Sequence, residues 1–287
     1  MSEKGYFVNI IKPTMMTSFE VVNAVKKTLK EKKVGHLGTL DPGASGVLPI
    51  AVGKATKFFD YFLKKDKEYV ALVNFGVETD TLDAFGKVLS KTTADFSIKD
   101  LQDTIKTFTG KISQVPPKYS AIKIDGEKAY KLARNGVEIN LKSREIEIFS
   151  IEILEQKTSA QYLFKVHCSA GTYIRTLFDD IAQKLGTHAV TVAIIRTKSG
   201  VFNINEAQTL NEFNENPKIH KITEIIKKPE IEVDDELAKK LINGQKINSN
   251  LISNIQKGEF YIKNNEKIIG LYENSDKNIK AIVYLYN

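Results

Sequence analysis

Cysteine is almost absent from the chain, since Cys168 is the only one among 287 residues. A single cysteine excludes an internal disulfide and any zinc site built from thiolates, and it fits a reducing compartment. Metal-ligand spacing is missing as well. The four histidines stand apart, and the acidic run 79–83 lacks the alternating oxygen ligands of a calcium loop. We therefore expect a functional site without a metal or a cofactor.

Long apolar runs are also absent. No stretch approaches the roughly 18 apolar residues of a membrane span, and residues 1–9 lack a basic segment followed by an apolar one. The sequence contains no internal repeat and no low-complexity tract. These absences lead us to expect a soluble, globular protein of the cytoplasm.

Positive charge exceeds negative charge, with 42 Lys and Arg against 35 Asp and Glu, a net charge of +7 and a pI near 9.1. This sign is expected of a protein that meets phosphate. Lysine-rich proteins that bind no nucleic acid also exist, so charge alone leaves both alternatives open. With 42% hydrophobic residues, the chain can fill one large core or divide into a large and a small domain.

The best candidate for chemistry is the run G-H-L-G-T-L-D-P-G-A-S-G-V-L-P-I, residues 35–50. Asp41 precedes a proline, which pushes its backbone toward extended geometry. The glycines at positions 38, 43 and 46 can take positive φ or accept a close neighbour. Asp41 is thus a carboxylate held on a rigid turn. The alternative is an aspartate that closes an Asx-turn or caps a helix, as Asp-Pro-Gly does in most proteins.

Hydrophobic patterning predicts strands and helices along most of the chain. Strands are expected at 6–11, 68–76 and 162–169, and helices after Thr17, over 55–63, around 98–108 and over 174–185. In the first helix, the predicted apolar face consists of Phe19, Val22, Val25 and Leu29. After residue 229, short alternating strands predict a small β-rich domain. The pattern indicates an α/β (α+β) protein.

Arg175 falls in the first turn of the helix predicted over 174–185. A cation there opposes the helix macrodipole by about 0.3 to 1 kcal/mol unless an acidic group compensates. Asp179, four residues on, is one compensator, although arginine before aspartate is the poorer order for a helical pair. An ion pair with Asp41 is the other, and it would keep a buried carboxylate charged.

A basic and aromatic stretch follows Pro117. Such a mixture can bind phosphates and stack on bases, while the alternative is a solvated helix face with tyrosines beneath it. The stretch contains Lys118, Tyr119, Lys123, Lys128, Tyr130, Lys131 and Arg134. Tyr69, at the start of a predicted strand, is by default a core residue.

Together these motifs resemble the TruB family of tRNA pseudouridine synthases. The run around Asp41 matches the family pattern G-H-x-G-T-L-D-P-x-A-S-G-V-L-P almost without a break. Further matches are G-V-E-T-D-T-L-D-A-F-G, P-P-K-Y-S-A-I-K and G-T-Y-I-R-T-L, so that the resemblance covers about residues 6–200. Two positions depart from the pattern: Met15 stands where the family usually has glycine, and Ile195 replaces an arginine.

The resemblance implies an enzyme that flips uridine 55 out of the tRNA T-loop and isomerises it to pseudouridine, with no cofactor and no obligate protein partner. It implies that Asp41 is the catalytic aspartate and that Arg175 pairs with it. The implied substrate-binding residues are His36, Tyr69, Tyr173 and Ile194. The implied RNA-contacting residues are Lys12, Lys118, Tyr119, Lys123, Lys128 and Arg134.

The resemblance also implies a domain organisation. We expect a mixed-sheet catalytic domain over 1–228, with an RNA-clasping insertion at about 112–145, and a PUA-like RNA-binding domain over 229–287. Two alternatives remain: the guide-RNA-dependent branch of the same family, which has protein partners, and a non-catalytic tRNA-folding chaperone. The compact C-terminal region argues against the first, and the second would need no Asp41.

Overall fold

The computed structural model describes residues 5–120, 122–124, 126–137, 139–245, 247–252, 255, 257–275 and 278–286. In these ranges no helix has the length and apolar character needed to cross a membrane. The strands are β1 (Tyr6–Lys12), β2 (Val34–His36), β3 (Ser45–Val52), β4 (Lys67–Phe75), β5 (Val77–Thr79), β6 (Val88–Lys91), β7 (Gly110–Gln114), β8 (Lys123–Ile124), β9 (Glu127–Lys128), β10 (Arg144–Gln156), β11 (Gln161–Cys168), β12 (Ala189–Ser199), β13 (Phe202–Asn203), β14 (His220–Lys221), β15 (Glu230–Glu232), β16 (Ile247–Asn248), β17 (Gly258–Asn264), β18 (Lys267–Ser275) and β19 (Asn278–Tyr284). The helices are α1 (Ser18–Leu29), α2 (Phe59–Leu63), α3 (Ile98–Lys106), α4 (Ala129–Arg134), α5 (Ile174–Lys184), α6 (Leu210–Glu215), α7 (Ile222–Ile225) and α8 (Asp235–Ile242), with 3-10 helices at Gly53–Phe58, Ile204–Glu206 and Ser249–Leu251.

The main sheet has the strand order β14-β1-β3-β12-β4-β11-β10-β7, with β2 beside β3 and β13 beside β12. Its pairs are antiparallel except for β3 and β12, which run parallel where Ser45 faces Ile195 and Gly46 faces Arg196. This mixed sheet with helices confirms the predicted α+β class. The parallel pair brings the end of the Asp41 run directly against the middle of β12, and so it fixes where the site forms.

Helix α1 begins with a reciprocal cap. The Thr17 hydroxyl accepts from the Glu20 amide at 3.2 Å, and the Glu20 carboxylate accepts from the Thr17 amide at 2.7 Å, which satisfies two free donors of the first turn. The buried face is formed by Val21, Val22 and Val25, while Phe19 is 63% exposed.

The prediction that Phe19 packs inward is therefore wrong. The buried place at the start of α1 is taken by Ser18, whose hydroxyl donates to the Leu40 carbonyl at 3.1 Å and accepts from the Leu40 amide at 3.0 Å. The helix predicted over 55–63 is also different. It forms as the 3-10 helix Gly53–Phe58 followed by the short α2.

One hydrophobic core lies between the main sheet and helix α5. Alternate residues of β4 and β11 point into it, and α5 contributes Leu177, Phe178 and Ile181, each fully buried. Burial of each such side chain stabilises the fold by about 1.5–3 kcal/mol. The packing fixes the first turn of α5, and therefore Arg175, relative to the sheet.

A second sheet lies at the C-terminal end, in the order β15-β17-β18-β19-β16. It has a core of its own with α8. Its other face packs on the main sheet in a shared cluster, where Tyr261, Leu271 and Val283 join Phe7 and Phe58. The two sheets therefore meet through buried apolar side chains rather than through a solvated linker.

Candidate active site

Lys12 fixes one side of the Asp41 loop, which consists of residues 37–44 between β2 and β3. Its side chain is fully buried, and its ammonium group donates to the carbonyls of Pro13 at 2.8 Å, Met16 at 2.6 Å and Pro42 at 3.2 Å. Burial lowers the pKa of Lys12 to about 8, while the charge of Asp41 opposes the shift. The three donors of the ammonium group are thus used inside the protein, and the contact of Lys12 with RNA stays a prediction.

Arg196 of β12 fixes the other side of the loop. The guanidinium is fully buried and donates to three carbonyls, those of Val47 at 2.8 Å, Thr39 at 3.2 Å and Gly38 at 3.1 Å. Sequence reasoning missed this residue. The available signal was a charged side chain within the apolar strand pattern 189–199, because a buried guanidinium must find acceptors.

Gly46 is required for this arrangement. It has φ +106°, and a Cβ built there would lie 2.3 Å from the carbonyl oxygen of Arg196. No other residue allows β3 and β12 to approach so closely, and a side chain would also be strained at this φ. The glycine spacing of the sequence run therefore reflects the contact between the loop and β12.

Arg175 joins the loop to α5. Its Nη2 lies 2.8 Å from Asp41 Oδ2, and its Nη1 lies 3.7 Å from Asp83 Oδ2. The Arg175 side chain is only 5% exposed, whereas that of Asp41 is 42% exposed. The carboxylate is therefore open to solvent while its cation is buried. A ligand can reach Asp41 without displacing Arg175.

The same two nitrogens also donate to backbone carbonyls, Nη1 to that of Thr81 at 2.8 Å and Nη2 to that of Tyr119 at 3.0 Å. The alternative partner Asp179 is occupied elsewhere, since it accepts from Gln183 at 2.8 Å and lies 3.2 Å from His188 Nδ1. Asp83 is a site residue that sequence reasoning left unassigned.

The four residues predicted to bind the substrate differ in how directly the structure links them to this ion pair. Ile194 lines the same pocket as Asp41 and Arg175. Tyr69 of β4 faces Arg196, and its burial raises the pKa of the phenol to about 12 although the arginine opposes the shift. Both Ile194 and Tyr69 also pack on the core beneath α5.

The other two, Tyr173 and His36, are not among the residues that line this pocket. Tyr173 is the N-cap of α5, and the Arg144 guanidinium lies 4.7 Å from the centre of its ring. His36 is in β2, where burial and the nearby Arg196 lower the pKa of its imidazole. Its Nδ1 is buried and has no hydrogen-bond partner in the described ranges.

The basic stretch lies beside the site through Tyr119. The Tyr119 carbonyl binds Arg175, and its hydroxyl lies 3.5 Å from Asp80 Oδ2. Lys118 and Lys128 are exposed. Lys123 lies in β8 and Arg134 in α4, but their side chains fall outside the described residues.

The site thus contains one outward carboxylate on a doubly anchored loop, a buried arginine that contacts it, and a basic stretch at its edge. In the described part of the chain, no cluster of three or more His, Cys, Asp or Glu residues could hold a metal ion. The solved Cbf5–Nop10–Gar1 complex contains a chain of similar fold, with a TM-score of 0.73 and 26% identity over 100% of this chain and 88% of that one. The H/ACA RNP bound to a substrate RNA containing 2'-deoxyuridine gives a TM-score of 0.71 at 24% identity, covering 100% of this chain and 86% of that one.

Sequence comparison assigns the class. Residues 26–174 match the model of the TruB family pseudouridylate synthase N-terminal domain, so the fold is that of a pseudouridylate synthase. The chain is 44% identical over 285 residues to tRNA pseudouridine synthase B of Clostridium acetobutylicum, covering 97% of this chain and 98% of that protein. The chain is also 41% identical over 290 residues to tRNA pseudouridine synthase B of Clostridium tetani, covering 97% of this chain and 98% of that protein. The chain belongs to the TruB family.

Proposed function

We propose that this protein isomerises uridine to pseudouridine in tRNA, at position 55 of the T-loop, with Asp41 as the catalytic carboxylate and no cofactor. The observation that carries the proposal is the ion pair between Asp41 and the buried Arg175, at 2.8 Å. The relatives that are similar over nearly the whole chain are tRNA pseudouridine synthases. Tritium release from the natural transcript tests the reaction, and release from a transcript altered at position 55 tests the position.

The reaction needs one charged carboxylate. The glycosidic C–N bond of the uridine breaks, the uracil turns in the pocket, and its C5 bonds to C1′. The C5 proton leaves to water and N1 is protonated in its place, so the reaction is an isomerisation without oxidation. Asp41 serves either as the nucleophile toward C6 or C1′ or as the base at the ribose. Each role requires the ionised form after RNA has excluded water, and the adjacent guanidinium of Arg175 favours that form.

The target base must leave its stack before it reaches Asp41, at a cost of a few kcal/mol. Ile194 offers apolar surface in the pocket of the ion pair, and Tyr69 lies within reach of the charge of Asp41, which supports their role in holding the uracil. Tyr173 stands one residue before the arginine-bearing turn. His36, with its unpartnered Nδ1, supports a role beside the flipped nucleotide.

The proposal includes the RNA-binding surfaces. Lys118, Tyr119, Lys123, Lys128 and Arg134 contact the T-arm, as part of an insertion over about 112–145. Residues 1–228 form the catalytic domain and 229–287 a PUA-like domain that binds RNA. The enzyme acts in the cytoplasm, where tRNA is found, and needs no protein partner.

The test measures tritium release from tRNA transcript labelled at C5 of uridine. Wild type should release tritium, and Asp41→Asn should lose at least about a thousandfold in single-turnover rate, because the amide can neither attack nor accept a proton. Asp60→Asn is the matched control, since Asp60 is an exposed aspartate on α2, and it should keep the wild-type rate.

Two outcomes would contradict the proposal. If neither wild type nor Asp41→Asn releases tritium, the protein is a chaperone rather than an enzyme. If both release it equally, Asp41 is not the catalytic group. A transcript with cytidine in place of uridine 55 should release no tritium above background, and release from it would overturn the assigned position.

A further inference from the structure

Phe85 is an exposed aromatic residue at the lip of the Asp41 pocket. Its side chain is 58% exposed, yet it lines the same pocket as Asp41, Arg175 and Ile194. An exposed phenyl ring loses the stabilisation that burial supplies. Single exposed apolar residues are common on protein surfaces, but an exposed ring beside a pocket indicates a binding surface.

The ring rests against the loop that carries Asp41. A Cβ built on Gly43 would lie 2.6 Å from Phe85 Cε2 and 2.9 Å from Cδ2, so the glycine leaves space that the ring fills. One part of the phenyl ring covers the loop, and the rest stays open to solvent. The ring thus extends the wall of the pocket outward, two residues from Asp41.

The backbone beneath the ring is fixed. The Phe85 amide donates to Asp83 Oδ1 at 3.0 Å, and the Ala84 amide donates to the Thr191 carbonyl at 3.0 Å. The same Asp83 faces Arg175. An aromatic face held by anchored backbone is suited to binding, because little conformational freedom is lost when a ligand stacks on it.

Another exposed apolar residue stands at the same loop. Met15 is 71% exposed, its amide donates to the Pro42 carbonyl at 2.8 Å, and its φ of 64° is in the left-handed region. Non-glycine residues rarely adopt this conformation, and such outliers concentrate at binding sites. The loop is therefore bordered by apolar side chains next to both Pro42 and Gly43.

We propose that Phe85 stacks on the base of a nucleotide directly adjacent to the target uridine. The inference rests on the proposed function, because a flipped uridine leaves its neighbours without a stacking partner. The target base itself goes deeper, toward Arg175 and Ile194. A neighbouring base meets the outer rim, where the Phe85 ring is open. Single-stranded RNA is bound by such aromatic faces.

The test compares RNA binding in an Asp41→Asn background, using a T-arm hairpin and two hairpins that are abasic on one or the other side of the target. Phe85→Ala should weaken binding of the intact hairpin about tenfold, as loss of one base stack does. With the hairpin abasic at the contacted position, the same substitution should change binding by less than about twofold, because the two losses are not additive when they remove one contact. Phe85→Trp should bind as the parent does.

Phe59→Ala is the matched control, since Phe59 is a 40%-exposed phenylalanine at the start of α2. It should not alter binding. An equal loss with all three hairpins, or no loss with the intact one, would overturn the proposal.

A merely structural role is separated by a second variant that keeps an apolar contact with the loop. Phe85→Leu in the Asp41→Asn background has no aromatic face, so it should weaken binding of the intact hairpin about tenfold, as Phe85→Ala does. If Phe85→Leu binds as the parent does, the ring only packs on the loop and the proposal fails. Absence of pseudouridine from the reaction of the wild type with the hairpin would reject the proposed function. The binding comparison would still report whether Phe85 stacks on a base.

Discussion

The Asp41 loop and the basic stretch 118–134 meet at Arg175, yet they are fixed by different means. The loop has no regular hydrogen-bond ladder of its own, and the buried cations of Lys12 and Arg196 bind its carbonyl oxygens from both sides. Backbone that is buried must find such partners, and here charged donors supply strong ones.

The basic stretch, in its described residues, is bonded largely within itself. The Ala129 amide donates to the Ile122 carbonyl at 2.7 Å, and the Tyr130 amide donates to the Ser120 carbonyl at 3.1 Å. Its link to the site is the Tyr119 carbonyl on Arg175 Nη2, the same nitrogen that contacts Asp41. The carboxylate is therefore held in place by the protein alone, and one guanidinium connects it to the basic stretch that we propose contacts RNA.

Arg175→Lys should have the largest effect, because it alters the one side chain that contacts both the Asp41 loop and the basic stretch. An ammonium group cannot reproduce the forked contacts to a carboxylate and two carbonyls. We expect the single-turnover rate to fall at least about 100-fold, with tRNA affinity kept within about threefold. Filter binding and tritium release measure the two quantities. An unchanged rate would show that the ion pair does not serve catalysis.

Arg196→Lys should affect the loop alone. The lysine keeps the charge but cannot reach the carbonyls of Gly38, Thr39 and Val47 together, so buried acceptors lose their partners, at about 1–3 kcal/mol for each. We expect a lower free energy of unfolding in urea and a rate about tenfold lower at saturating tRNA. Arg144→Lys is the control for the stability measurement alone, since that arginine is partly exposed but stacks on Tyr173. If Arg144→Lys lowers the free energy of unfolding by the same amount, the contacts of Arg196 with the loop carbonyls add no specific stability.

Lys118→Ala combined with Lys128→Ala should affect the basic stretch alone and have the smallest effect. Each lost phosphate contact reduces the salt slope of binding by about 0.7 to 0.9. We expect weaker binding at low salt, a slope lower by about 1.5, and an unchanged rate at saturating tRNA. Lys99→Ala with Lys106→Ala removes the same charge from α3, where both lysines pair with Asp103. Equal salt slopes of tRNA binding for the two double variants would show that the RNA does not contact the basic stretch.

The sequence predicted the parts of the site that repeat a local pattern. The first-turn position of Arg175 follows from the apolar spacing of α5, and the resemblance joined it to Asp41. The buried roles of Lys12 and Arg196 were not predictable in this way. The role of Arg196 depends on which carbonyls the loop presents after β3 has paired with β12, and that pairing joins residues about 150 positions apart. The role of Lys12 depends on the approach of Pro42, 30 positions along the chain.

The same limit explains Phe19. Its spacing fits the apolar face of α1, but whether the first turn faces protein or solvent is decided by the neighbouring loop, where Ser18 binds Leu40. The strands of the C-terminal region were predicted from their alternation. Their packing against Phe7 and Phe58 was not, because the alternation of a strand shows which residues are buried but not what covers them.

The apolar cluster between the two sheets has a consequence for how the molecule loses its structure. Tyr261 and Leu271 are fully covered by contacts that include Phe7 of β1, a strand next to the one that follows the Asp41 loop. Removal of the C-terminal sheet would expose that strand's aromatic surface to water, so the two sheets form one cooperative unit in thermal or chemical denaturation. A truncated chain that ends before β15 would be prone to aggregation rather than a minimal enzyme.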